Sequence, residues 1–337
     1  MELVDALSSN KDSKSVTQLS QNSHFTRSYN SINDVVNNFS NGGQEQETEI
    51  RQLTGKQIER DNRDFHLLGI DATPAPRKFS KTLEDRGFVY SPNVIAGNKP
   101  VTIGHSYSLL AYLPEKETDK YSPPWVLPLS INRIPTERSD LSIGMEQLDT
   151  ILNDQDLPFS KELTVVVQDS KYGAPEVRKN ESKYEDLVLI TRARSNRVFN
   201  YPPLPESERY KHKTGAKLVY GDEMKLNDQS TWKEPDDTLD QIFISKKNKV
   251  FEVHIKAWDD IMMRTKNGID LKDCPFTLLE ITATDSNGNN FFKKPLWLIV
   301  SGKRRKELSL KDSEHSFNPT LLSVITKIFF VAEKPTN

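Results

Sequence analysis

The 337 residues carry 46 Lys and Arg against 48 Asp and Glu, a net charge of −2, so no whole-molecule field draws the chain onto a polyanion. Hydrophobic residues make up 35%, enough for a core in about two folding units, and no run of about 18 apolar residues offers a membrane span. The single Cys274 excludes an internal disulfide framework and a Cys-rich zinc site, and the start MELVDALSSN lacks the basic and apolar regions of a secretory signal, which together predict a soluble intracellular protein.

Residues 1–60 are rich in Ser, Asn, Gln and charge. Apolar steps at Leu3, Val4 and Leu7, and again at Ile32, Val35, Val36 and Phe39, predict small helices, with a stop at the NGG of 41–43. The composition changes at Phe65. FHLLGID (65–71) reads as a buried strand whose C-terminal tip is Asp71, and strands are expected again at 107–113 and 125–131. Leu141, Ile143, Met145, Leu148, Ile151 and Leu152 have helical spacing. The β-branched LTVVV (163–167) predicts a strand running into Asp169, and 186–191 another that leads into the basic TRARSNR.

Strands, a helix and two further strands in that order predict an α/β fold built on a central mixed sheet. Residues 198–240 read as an inserted excursion with little apolar periodicity. Strand signals resume at 241–245, 251–256, 276–282 and 296–300, with a hairpin-type turn at Ser286–Asn289. The 61–312 stretch therefore reads as one domain with a β-rich insertion around 198–260, and 313–337 as an atypical tail.

Asp71 and Asp169 each follow an apolar strand. Carboxylates at neighbouring strand ends can share a hard cation such as Mg²⁺, although a single Asp in that place is more often a turn or cap residue. Basic runs occur at 191–197, 209–213 and 301–306, open to two readings, a phosphate track or solvated loops. Arg77, Lys78, Arg192, Arg194 and Arg197 are the candidates for phosphate contact; Lys303, Arg304 and Arg305 are weaker ones. His66, His105, His254 and Cys274 show no zinc spacing, and Trp125, Trp297 and Phe88 are expected in the core. A Walker-type phosphate loop is absent from the sequence.

Four long segments carry a resemblance: HLLGIDATPAPRKFSKTLEDRGFVY (66–90), GNKPVTIGHSYSLLAYLP (97–114), LTVVVQDSKYGAPEV (163–177) and VLITRARSNRVFNYPP (188–203). In this order they resemble bacterial insertion-sequence transposases with a DDE ribonuclease H-like domain, and the N-terminal region is similar to theirs. The resemblance implies a ribonuclease H-like sheet with a small helical N-terminal region. It implies that Asp71, in GxDxT, and Asp169 are catalytic metal ligands for Mg²⁺ or Mn²⁺. It further implies double-stranded DNA partners (terminal inverted repeats and target), self-association on DNA, and a bacterial cytoplasmic, nucleoid-associated location.

The same resemblance calls for a third acid, a Glu within Y-x2-R-x3-E-x6-K after the last strand. The tail SEHSFNPTLLSVITKIFFVAEKPTN has neither Tyr nor Arg, and its Glu314 and Glu333 lack that surround. A frameshift or early stop is the expectation that accounts for this. Two other functions stay open beside transposition: a DNA-binding remnant without strand transfer, and a host nuclease of the same superfamily.

Overall fold

The computed structural model describes residues 6, 9, 15–40, 43–56, 58, 63–80, 82–91, 100–114, 126–205, 218–244 and 249–308. The chain divides into two compact units, Met1–Gln57 and Ile58–Asn337. The first contains helices α1 (Val16–Leu19), α2 (Tyr29–Ser40) and α3 (Gly43–Gly55). Ser15 caps α1 by accepting the N–H of Gln18. The predicted periodicity from Ile32 to Phe39 lies inside α2, which ends at Ser40; Asn41 and Gly42 of the expected stop lie outside the described residues.

The second unit runs β1 (His66–Pro76), β2 (Gly87–Tyr90), β3 (Val101–Tyr112), β4 (Leu127–Ile134), α4 (Asp140–Leu152), β5 (Thr164–Gln168), α5 (Pro175–Glu181) and β6 (Leu187–Ala193). There follow β7 (Val198–Asn200), β8 (Glu223–Lys225), β9 (Asp237–Ile244), β10 (Val250–Ile261), β11 (Phe276–Asp285) and β12 (Leu296–Ser301). Ten of these strands form one sheet in the order β2-β3-β1-β5-β6-β12-β11-β10-β9, with β4 also paired to β3. β1, β5 and β6 are parallel, and every other pairing in the sheet is antiparallel. This mixed α/β sheet with few flanking helices is the architecture expected of a ribonuclease H-like domain.

Side-chain alternation along the parallel strands builds two cores. Leu68, Ile70, Val166, Leu187 and Leu189 point to the face covered by Leu148, Ile151 and Leu152 of α4 and Val177 of α5. Leu67, Val165, Val188 and Ile190 point to the other face, in one cluster with Phe251, Val253, Ile255, Leu279, Ile281, Leu298 and Val300. Buried on both sides, β5 and β6 read in the sequence as unbroken apolar runs. A third core holds the stacked indoles of Trp258 and Trp297, 5.8 Å apart, with Trp232 edge-on to Trp297 at 5.1 Å. Trp297 is thus a core residue as expected; Trp125 lies outside the described residues.

The inserted strands do not form a separate layer. β9 to β12 continue the main sheet, because β12 pairs with β6 and brings the others with it, while β7 and β8 form a small sheet of their own. A buried clamp joins this half to the helices. Arg178 of α5 donates to the Cys274 carbonyl at 2.7 Å and lies over the Phe276 ring, while Glu181 accepts the Ser301 hydroxyl at 2.6 Å. Burial pushes the Glu181 carboxyl above its ordinary range. At the end of β12, Gly302 has φ +122°, and a Cβ there would sit 2.2 Å from the Leu187 carbonyl oxygen.

Two expectations are corrected by the structure. β1 does not end at Asp71; it runs on to Pro76, because β3 keeps pairing with it through Gly104 after β5 has stopped. Phe88 is not a core residue but 84% exposed, since β2 is a four-residue ribbon strand whose outer side no described element covers. The turn at 286–289 is found where expected, with Gly288 at φ +79° and Asp285 accepting the N–H groups of Asn287 and Asn289, and β12 begins at Leu296 as the strand signal indicates. Among the described residues no helix is long and apolar enough to cross a membrane.

Candidate active site

The parallel ladder between β1 and β5 closes with Ile70 opposite Gln168, and that between β5 and β6 with Gln168 opposite Thr191. The next residue on each strand is Asp71, Asp169 and Arg192. Register alone therefore sets two carboxylates and one guanidinium in a row across three neighbouring strands, spaced by roughly 4.8 Å per strand. The row beneath is buried, and the Gln168 amide donates to Thr191 Oγ1 at 2.7 Å within it. The charged row above is exposed.

Each acid is held differently. Asp71 stays in the extended strand, and its Oδ1 accepts the N–H of Ala72 at 2.9 Å. Asp169 leaves β5 and caps a 3₁₀ turn over Ser170–Tyr172, accepting the Lys171 N–H at 2.8 Å. The capping alternative raised by the sequence is thus satisfied by one oxygen of Asp169.

The ring of Tyr172, at the end of that turn, is buried against α4. Burial, and behind it the negative charges of Asp140, Asp71 and Asp169, push its phenol up to about 12. Helix α4 fits against this ring because residue 144 is glycine: a Cβ there would lie 2.7 Å from the Tyr172 hydroxyl oxygen and 2.9 Å from Ile70 Cδ1. Lys171 Nζ reaches Asp140 Oδ2 at 2.5 Å and ties the turn after Asp169 to the first residue of α4. Sequence reasoning missed Asp140, Gly144, Lys171 and Tyr172. The one available signal was a glycine inside an otherwise periodic apolar helix, which marks a close approach.

Beside the acids opens a pocket of about 320 Å³ lined by Ser170, Lys171, Arg192, Arg194, Asn196 and Arg197. Arg192 and Arg194 are exposed; Arg194 donates from Nε to Ser170 Oγ at 3.3 Å. Arg197 is half-withdrawn, donating to the Gly173 carbonyl at 3.0 Å and lying over the Phe199 ring, and burial lowers its pKa. The three predicted arginines therefore meet at one pocket, two facing solvent and one bracing the wall.

Arg77 and Lys78 are placed elsewhere. They lie past the end of β1, six strand residues beyond Asp71, which at about 3.3 Å per residue is roughly 20 Å away. The expectation that they flank the metal ligands fails because β1 continues. The run 301–306 is also remote, at the opposite end of the sheet, since β12 is antiparallel to β6. Its cations are engaged: Lys303 with Glu185, Arg304 with Asp186 and Glu307, Arg305 and Lys306 with Asp260. The 209–213 run lies outside the described residues.

A family model for the DDE superfamily endonucleases matches residues 1–263. The chain belongs to that family. In this DDE endonuclease the match ends just past β10, so β11 and β12, which complete the sheet, lie beyond it. Comparison with curated proteins finds no match. Family membership carries nuclease-type chemistry in general, and DDE domains generally use divalent metal ions.

The donor set here suits such an ion in kind. Asp71 and Asp169 supply hard carboxylate oxygens from adjacent strands, the chemistry that Mg²⁺ and Mn²⁺ prefer, with water filling remaining positions. Among the described residues no group of three or more His, Cys, Asp or Glu stands close enough to hold a metal. Glu314 and Glu333, the acids considered for the third place, lie outside the described residues.

Proposed function

We propose that this DDE endonuclease is an insertion-sequence transposase that cleaves double-stranded DNA at its element's terminal inverted repeats and joins the freed 3′ ends to target DNA. The observation that carries this reading is the row Asp71–Asp169–Arg192 across β1, β5 and β6, with a basic pocket at its side. Asp71 and Asp169 would hold Mg²⁺ or Mn²⁺, which supplies an activated attacking oxygen and charge stabilisation at phosphorus. The chain's own residues do the rest. Arg192 and Arg194 hold the phosphate backbone against the acids, and Lys171 keeps the Asp169 turn against α4.

Attack by water and then by a DNA hydroxyl needs no covalent protein intermediate, so positioned charge suffices. The partners are the two element ends, target DNA and further copies of the chain, in a bacterial cytoplasm at the nucleoid. A second reading, a DNA-binding remnant without strand transfer, rests on the sequence after β12, where Glu314 and Glu333 lack the Y-x2-R-x3-E-x6-K surround.

The test is cleavage of a labelled duplex carrying the element's terminal repeat, with Mg²⁺ or Mn²⁺, beside Asp71→Asn and Asp169→Asn. Metal-dependent nicking at the repeat boundary, lost in both variants, supports the transposase. Salt-sensitive binding without nicking supports the remnant. Nicking that survives both substitutions sinks the assignment of the acids.

A further inference from the structure

Beyond Asp71, β1 leaves the core and continues, with β3 and β2, as a ribbon. On it, Phe88 pairs with Ile103 and Tyr90 with Val101 across β2 and β3. Residues two apart on a strand, and residues directly opposite, share a face, so all four side chains stand on one side. That side is open: Phe88 is 84% and Tyr90 59% exposed, and Val101 and Ile103 are exposed as well. On the opposite side Val89 is buried; on the open side the face closes only beyond Ile103, where His105 is buried with its ring nitrogen against the Glu84 carbonyl at 2.9 Å. At the root of the ribbon Phe79 is 93% exposed, directly after the exposed cations Arg77 and Lys78. The neighbouring carboxylate of Asp85 is taken up by Arg133 at 2.5 Å and by Thr136.

We propose that this ribbon face is a second DNA-binding surface, on which duplex DNA running away from the reacting phosphate lays its sugars and bases against Phe88, Tyr90, Val101 and Ile103, with phosphates on Arg77 and Lys78. The inference rests on reading DNA as the substrate. Two features select DNA over a second copy of the chain. With about 150–250 Å² for an aromatic side chain, the four residues expose on the order of 400 Å², half of the roughly 800 Å² per partner that a stable dimer buries. The cations beside them are left facing solvent, as a polyanion requires. Apolar and aromatic side chains on a strand, flanked by basic residues, are the means by which proteins stack on bases or wedge between base steps. The roughly 20 Å between Asp71 and Arg77 would place the contact about six base pairs from the reacting phosphate, at 3.4 Å each.

The test uses the full chain carrying Asp71→Asn, without divalent metal, and a labelled mixed-sequence duplex as the probe. Phe88→Ser/Tyr90→Ser is expected to weaken binding at least about fivefold, and Arg77→Ala/Lys78→Ala to lower the slope of log affinity against log salt by about 1 to 2. All four positions are exposed, and an unchanged thermal melt confirms that each variant is folded. Equal DNA affinity of Phe88→Ser/Tyr90→Ser and its parent overturns the proposal. So does a sedimentation result in which that variant turns a dimer into a monomer with DNA affinity unchanged. A parent chain that binds no duplex removes the DNA reading and the ribbon together, whereas binding insensitive to the ribbon removes the ribbon alone.

Discussion

The two arginine-rich runs at 191–197 and 301–306 are alike in composition and opposite in use. Each follows an apolar strand, and β6 and β12 are direct neighbours in the sheet. The strands run antiparallel, so the first run emerges beside Asp169 and the second at the far end. There the second meets Glu185, Asp186, Asp260 and Glu307 and spends its charge on ion pairs, while Arg192 and Arg194 keep theirs at an open pocket. A basic run is left open at a pocket or spent on surface ties according to which end of the sheet its strand leaves from.

Several substitutions can break or sharpen that contrast. The largest effect belongs to the acids beside the first run: Asp169→Asn keeps size and cap but removes charge, and the metal-dependent DNA cleavage proposed above should fall by at least about a hundredfold. Next is the clamp that leads into the second run. Arg178→Ala leaves Glu181 buried without its partner and should cost about 3–5 kcal/mol in a denaturant titration; a loss below 1 kcal/mol would show that the clamp carries little. Gly144→Val should cost about 1–3 kcal/mol, because its side chain meets Tyr172 and Ile70, and should disturb the acid row as well.

Arg192→Ala/Arg194→Ala should lower the salt slope of DNA binding by about 2 while leaving stability within about 0.5 kcal/mol. The smallest effect is the mirror image. Arg304→Ala should leave DNA affinity unchanged and cost about 0.2–1 kcal/mol. The Arg304 hydrogen bond holds Glu307 below the ordinary carboxylate range, so its contribution is present above pH 4.5 and is lost as the pH falls through the folded-state value. Acid unfolding curves of the Arg304→Ala variant should lack that limb.

Much of the parallel core was legible. β5 and β6 are unbroken apolar runs because both their faces are buried, and α4 shows its period of 3.6 from Leu141 to Leu152. β2 was not legible, since four residues give too little pattern to recognise. β9 was read late, from Gln241, because its early residues Asp237, Thr238 and Asp240 are polar on an edge strand that faces water. Phe88 was misplaced for a related reason: an aromatic residue in a strand usually packs inward, and only its pairing with Ile103 on an uncovered ribbon turns it outward.

The sequence by itself determined the apolar runs, the helix that follows them, and the two acids that each come directly after an apolar run. Those are local properties, set by which side chains leave water. Only the tertiary structure decided that Asp71, Asp169 and Arg192 fall in one row, that β1 outlasts its partner β5, and that β12 turns its arginines away from the site. Register and strand direction are relations between segments far apart in the chain. A one-residue slip would reverse every face, and the energy that forbids it comes from packing that no single segment contains.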